Sequence, residues 1–327
     1  METKEGAAVR LSVLVEGAHG LTWERWKVFV AQVEEMGYAG LYGSDHFTLN
    51  AAPPDAESLE LIVALAYAAD HTRRLKLGQL VSPASFRDPV MLTRQMLALD
   101  DLSGGRMVYG VGAGWNAREH EMFGYDLGDL RTRLDRFVEA VEVIARLKRS
   151  DAPVSYSGRY YTLKDAVLLP RPRRPGGPPL LIGGRGPKRT LPLVARYADI
   201  WNVAMVTPDA LQEKLRLLDS LIVAAGRQPG DVARTLMIPV FCGHGAELLR
   251  WAGQRRSMAA YANLSDDALL DALRGLGAIM GTPDDAVERI RVYERLGIEE
   301  IMVQWFARDD LDGLRKIAEK VLPKVAD

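Results

Sequence analysis

The chain has 327 residues, is 48% hydrophobic, and balances 42 basic against 43 acidic side chains for a formal net charge of -1. That balance leaves no cationic footprint for nucleic acid and no basic stripe that would track phosphates. One cysteine, Cys242, excludes an internal disulfide and argues against a cysteine-built metal site, so no metal is expected.

No apolar stretch approaches the roughly 18 residues that a membrane helix needs. The start, Met1–Gly6, is polar and lacks a signal-peptide core. A soluble, cytoplasmic protein with no membrane or nucleic-acid partner is expected. Strand one reads at Arg10–Val15, with His19 and Gly20 in the loop after it. The first helix starts from a Thr22 N-cap and runs to Met36, where Gly37 stops it. A short second strand, Gly40–Gly43, leads into Asp45–His46–Phe47. Helix two covers Glu57–Ala69 and strand three Leu75–Leu80. Helix three begins near Pro89, a good first-turn residue, and ends before Ser103–Gly104–Gly105. Strand four is Arg106–Val111. A long loop with Trp115 and Asn116 follows, then helix four at Arg131–Lys148.

Val154–Leu163 alternates and turns around Ser157–Gly158, which predicts a small hairpin. Val167–Pro179 is rich in proline and arginine and reads as an extended loop. Together they make an insertion around 151–179. Strand five is Leu180–Ile182, with a helix from about Lys188. Strand six is Asp199–Val203, followed by a helix at Pro208–Ala225. Strand seven is Thr235–Phe241, followed by a broken helical stretch at Ala246–Leu273. Thr282–Pro283–Asp284–Asp285 starts a helix that ends at Gly297. Ile301–Gln304 is strand eight, and Leu311–Val321 is the closing helix.

Eight strands with helical connections predict one (β/α)8 TIM barrel over residues 1–327. The rival is an open doubly wound sheet. Its Gly-x-Gly-x-x-Gly fingerprint would precede the first long helix. Gly110–Val111–Gly112–Ala113–Gly114–Trp115 breaks that spacing and follows the fourth strand.

Barrel enzymes build their sites at strand C-termini. Three glycine-rich turns mark that face: Leu77–Ser82, Gly110–Gly114 and Ile182–Gly186. Asp45 and His46 lie there too. Histidine titrates near neutrality and can serve as acid or base; beside Asp45 it could equally cap a loop. His19 is similarly placed, in a longer loop. His71, His120 and His244 read as surface or turn residues. Gly183–Gly184–Arg185–Gly186, with Lys188 and Arg189, joins open backbone to positive charge at a helix start. That makes it a candidate phosphate seat. Ala113–Gly114 would let a flat ring approach the backbone. Trp115 and Trp201 could stack on a ring or belong to the core. The combination suggests a flat cofactor that carries phosphate.

These residues carry a resemblance. Gly43–Ser44–Asp45–His46–Phe47, Leu77–Ser82, Arg87–Asp88–Pro89 and Asp101–Arg106 match stretches of the luciferase-like monooxygenase superfamily. So do Gly110–Asn116, Glu119–His120, Arg133–Leu134, Pro179–Gly184, Ala195–Asn202, Gly281–Pro283 and Leu296–Ile298. The chain resembles that superfamily over nearly its whole length, and its F420-dependent oxidoreductase branch in particular. The resemblance implies a ring held at the barrel's C-terminal face against a non-proline cis peptide at Leu80–Val81. Ser82 lies just beyond. It implies Asp45 near the ring's polar edge and His46 in proton transfer. Ala113 and Gly114 would back the ring; Gly183, Gly184, Arg185 and Lys188 would seat the phosphate. His19, Trp115 and Trp201 would line the substrate pocket. The branch's sugar-phosphate dehydrogenases carry a glutamate where this chain has Trp115, which points to an apolar or aromatic substrate.

The leading expectation is an F420-dependent oxidoreductase. It would pass a hydride between the deazaflavin C5 and a small organic substrate, with His46 as acid or base. An FMN-dependent monooxygenase fed by a separate reductase is the alternative. A barrel that only binds a ligand is a third. A homodimer is implied by the resemblance.

Overall fold

The computed structural model describes residues 8–49, 52–53, 55–258, 260–307 and 309–325. The polar start at Met1–Gly6 lies outside them. Eight parallel strands form a ring: β1 (Arg10–Val15), β2 (Gly40–Gly43), β3 (Lys76–Gln79), β4 (Met107–Gly112), β5 (Leu180–Gly183), β6 (Ile200–Ala204), β7 (Ala233–Ile238) and β8 (Glu300–Trp305). Each pairs with its neighbours in sequence. The ring closes where Arg10–Val15 runs in register with Glu300–Trp305 and where Leu77 meets Met107. This is the predicted (β/α)8 TIM barrel.

Helices cover the outside: α1 (Trp23–Glu35), α2 (Leu61–His71), α3 (Pro89–Leu102), α4 (Ala117–Phe123), α5 (Leu130–Arg149), α6 (Thr190–Tyr197), α7 (Pro208–Ala224), α8 (Gly245–Ala252), α9 (Asp266–Gly275), α10 (Pro283–Arg295) and α11 (Asp312–Lys320). Their starts follow local chemistry. Thr22, Asp88, Asp129 and Thr282 each accept a backbone N–H one turn on, and Pro89 and Pro283 fill first-turn positions. No helix among the described residues is long and apolar enough to cross a membrane.

Strand alternation separates two apolar layers. In β1, Leu11, Val13 and Val15 face the helices, while Leu14 joins Tyr42, Val108, Leu181 and Met302 inside the barrel. Both faces are buried, as a parallel sheet under helices requires.

Several elements differ from the sequence reading. Gly78, Gly110 and Gly112 lie within β3 and β4 instead of in turns. Gly110 and Gly112 are small because space demands it. A Cβ on Gly112 would come 2.6 Å from the Val81 side chain, and one on Gly110 1.9 Å from the Gln79 carbonyl. Strand seven stops at Ile238, before Pro239, which has no N–H to donate. Val240–Cys242 instead pairs in parallel with Ile279–Gly281, outside the barrel. The hairpin pairs Val154–Ser157 with Thr162–Ala166. Its turn lies beyond Ser157, because the Glu139 carboxylate of α5 collects the amides of Arg159, Tyr160 and Tyr161. The helix expected from Lys188 begins at Thr190, and α4 is an additional helix in the loop after β4.

Candidate active site

The β3 chain leaves the barrel through a bulge. The Leu80–Val81 peptide is cis, and Ser82–Pro83 resumes pairing with Val111 and Gly112. Val81 therefore points over the mouth, between strands whose facing positions are Gly110, Gly112 and Gly183. A Cβ on Gly183 would lie 3.0 Å from Val81. Gly114 follows at a φ of +83°, where a Cβ would meet Ser85 at 2.4 Å. Val81, Ala113 and Gly114 thus offer a low apolar floor at the barrel mouth.

His46 stands beside this floor, three residues beyond Gly43, the last residue of β2. Its partner is Glu119, not Asp45. Nδ1 lies 2.9 and 3.1 Å from the two Glu119 oxygens, and Glu119 Oε2 also accepts the Phe47 N–H at 3.0 Å. The Glu119 side chain is 1% exposed and that of His46 13%. Burial works against a charged imidazole here. Glu119, with Glu16 and Asp45 behind it, outweighs burial and raises the His46 pKa above its ordinary value. The Trp115 ring stands edge-on to His46, with centroids 5.5 Å apart, and is 58% exposed. Trp115 can wall a substrate on the His46 side.

Because the folded pKa is raised, the His46–Glu119 pair stabilises fully below the unfolded value of about 6.5. That contribution is lost as pH climbs through the folded value. The melting temperature of the native protein minus that of His46→Gln is expected to shrink across that window. A difference that stays constant with pH would contradict the pairing.

The carboxylate of Asp45, the chain neighbour of His46, is engaged elsewhere. Asp45 accepts Ser82 Oγ at 2.6 Å and the Arg87 guanidinium at 2.9 and 2.7 Å. It is 4% exposed. Asp45 anchors the segment after the cis peptide instead of contacting the imidazole.

Trp201 is corrected. It is fully buried in the layer between barrel and helices, and its Nε1 donates to the Gly184 carbonyl at 2.8 Å. It braces the glycine loop from the core. The Gly184 amide is spent on the Asn202 carbonyl at 3.0 Å, so Gly184 contributes shape, at a φ of +133°. The Leu191 and Leu193 amides at the start of α6 are spent on the Gly186 and Arg189 carbonyls and Pro192 has none, so the positive charge at this seat comes from exposed Lys188 and Arg185 at its rim. Arg185 reaches the Met205 carbonyl at 3.3 Å, and Arg189 pairs with Asp135. An anionic group fits this rim.

His19 is buried with its ring edge-on to Phe306. His120, expected at the surface, is 2% exposed. Its Nδ1 donates to the Asn116 carbonyl and its Nε2 faces Ser85 Oγ, both at 2.7 Å. It braces the turn beside Gly114. Glu119 is the residue that sequence reasoning missed as a site member. Among the described residues, no group of three or more His, Cys, Asp or Glu side chains could hold a metal ion.

The family model for luciferase-like monooxygenases matches residues 13–300. An F420-dependent glucose-6-phosphate dehydrogenase of Amycolatopsis mediterranei is 27% identical, over 91% of this chain and 93% of that one. A 4-hydroxyprotoasukamycin monooxygenase of Streptomyces nodosus subsp. asukaensis is 36% identical, over 46% of this chain and 38% of its own. A solved F420-dependent secondary alcohol dehydrogenase, in complex with an F420-acetone adduct, superposes with a TM-score of 0.81. It is 21% identical and covers 98% of this chain and 100% of its own.

Proposed function

Since the chain belongs to the luciferase-like monooxygenase family, we propose that it is a coenzyme F420-dependent oxidoreductase of a small apolar or aromatic substrate. The bound deazaflavin supplies hydride transfer at its C5. The chain's own residues do the rest. Leu80, Val81, Ala113 and Gly114 receive the ring. Arg185 and Lys188 take the phosphate beside the Gly183–Gly184 turn. Asp45 holds Ser82 and Arg87 under the ring's edge. His46 gives or takes the proton at the substrate, and Trp115 shapes the pocket.

The observation that carries this reading is the apolar floor around Val81 with the buried His46–Glu119 pair at its side. F420 leads because the relative aligned over nearly the full length is F420-dependent. Trp115 supports an apolar substrate over a sugar phosphate. The reading includes a homodimer and a cytoplasmic location. An FMN-dependent monooxygenase served by a separate reductase is the second reading, favoured by the 36% identity to a monooxygenase over 150 residues.

Anaerobic titration with F420 and with FMN tests the choice. Micromolar binding of F420 and none of FMN is expected. The reverse would replace the first reading with the second, and binding of neither would remove both.

A further inference from the structure

We propose that Glu119 is the positioning residue of the reaction, fixing the tautomer and the charge of His46 so that Nε2 alone exchanges a proton with the substrate. This rests on the reading of His46 as acid and base, and it adds a second residue to that role.

A carboxylate offers only acceptors. With both Glu119 oxygens against Nδ1, that nitrogen carries a hydrogen whether the ring is neutral or charged. The proton that comes and goes is therefore on Nε2, the nitrogen on the far side of the ring. When His46 acts as acid, the Nε2–H bond breaks, its electron pair stays on nitrogen, and the proton passes to the substrate atom that Nε2 faces. As base, Nε2 takes that proton back. Glu119 keeps its hydrogen bond throughout.

The charged groups around the imidazole agree with this assignment. Glu119 approaches from α4, Glu16 from the end of β1, and Asp45 from the same loop. Asp45 is neutralised by Arg87 at the start of α3, which leaves Glu119 as the one in direct contact. The geometry is also held. Glu119 accepts Phe47 N–H, Asn116 donates to the Thr48 carbonyl at 2.6 Å, and Arg118 donates to the carbonyls of Leu49 and Ala52. Helix α4 thus grips the loop that carries His46.

A purely structural Glu119 would only secure the Phe47 amide. Glu119→Gln separates the two roles, because its amide oxygen can still accept a hydrogen bond but carries no charge. The direct readout is the NMR titration of the His46 ring in the protein without cofactor. His46 is expected to titrate about one unit or more lower in Glu119→Gln than in the native protein. The pH limb of kcat/KM that reports His46 should move equally, with the cofactor Kd unchanged. An unchanged His46 titration in Glu119→Gln overturns the proposal, whatever the activity. A lowered titration in a protein that does not bind F420 supports the pairing and overturns the cofactor reading instead.

Discussion

His46→Ala is expected to lower kcat by about 10²–10⁴-fold, the usual contribution of a positioned general acid or base. Cofactor affinity should stay the same, because the floor around Val81 and the α6 rim contain no part of the imidazole. The split is informative. A loss confined to kcat removes an interaction made while the proton moves, whereas a rise in Kd would give His46 a holding role. Full activity in His46→Ala, measured with saturating cofactor, would end its assignment. The substitution also leaves Glu119 buried without its largest partner. A circular dichroism melt should accompany the kinetics, so that unfolding is not read as lost chemistry.

Gly110→Ala should be the most damaging single methyl in the barrel. Its Cβ would sit 1.9 Å from the carbonyl oxygen of Gln79, a backbone atom in the neighbouring strand. A flexible side chain could swing aside; a paired strand cannot. Overpacking of a core commonly costs about 1–3 kcal/mol, and this contact belongs at or above the upper end. Gly183→Ala is the control, since its Cβ would meet a Val81 methyl at 3.0 Å and ask for only a small shift. Urea unfolding midpoints should separate the two variants clearly. A Gly110→Ala protein as stable as Gly183→Ala would mean that β3 and β4 can part more easily than their register implies.

Strands such as β1 (Arg-Leu-Ser-Val-Leu-Val) and β5 (Leu-Leu-Ile-Gly) were legible because each is a short β-branched or leucine-rich run. Elements of low apolar content were not. Helix α4 is seven residues long, Ala-Arg-Glu-His-Glu-Met-Phe, and shows no stripe that periodicity could detect. The three-residue strand Ile279–Gly281 exists only because Val240–Cys242 lies beside it.

The site divides in the same way. A histidine at a strand end could be found by position, and so could the glycines of the ring floor and the cis peptide implied by the resemblance. The partner of that histidine could not, because Glu119 lies 73 residues further along and reaches it only once the barrel has closed. Asp45, adjacent in the chain, turns instead to Ser82 and Arg87. Trp201 was ambiguous for a related reason. In a parallel barrel strand both faces are apolar, so composition does not tell which of them looks into the mouth.

Helix α4 and its N-cap hold the loop after β2 by the Phe47 amide and the carbonyls of Thr48, Leu49 and Ala52, and by two side chains, the His46 imidazole on Glu119 and the Phe47 ring on Phe123. The contacts beyond Phe47 are all to backbone carbonyls, so they do not depend on which side chains stand at Thr48, Leu49 and Ala52. That far half of the loop can drift over generations, or be randomised in a library, while the His46 and Phe47 rings keep their partners on α4.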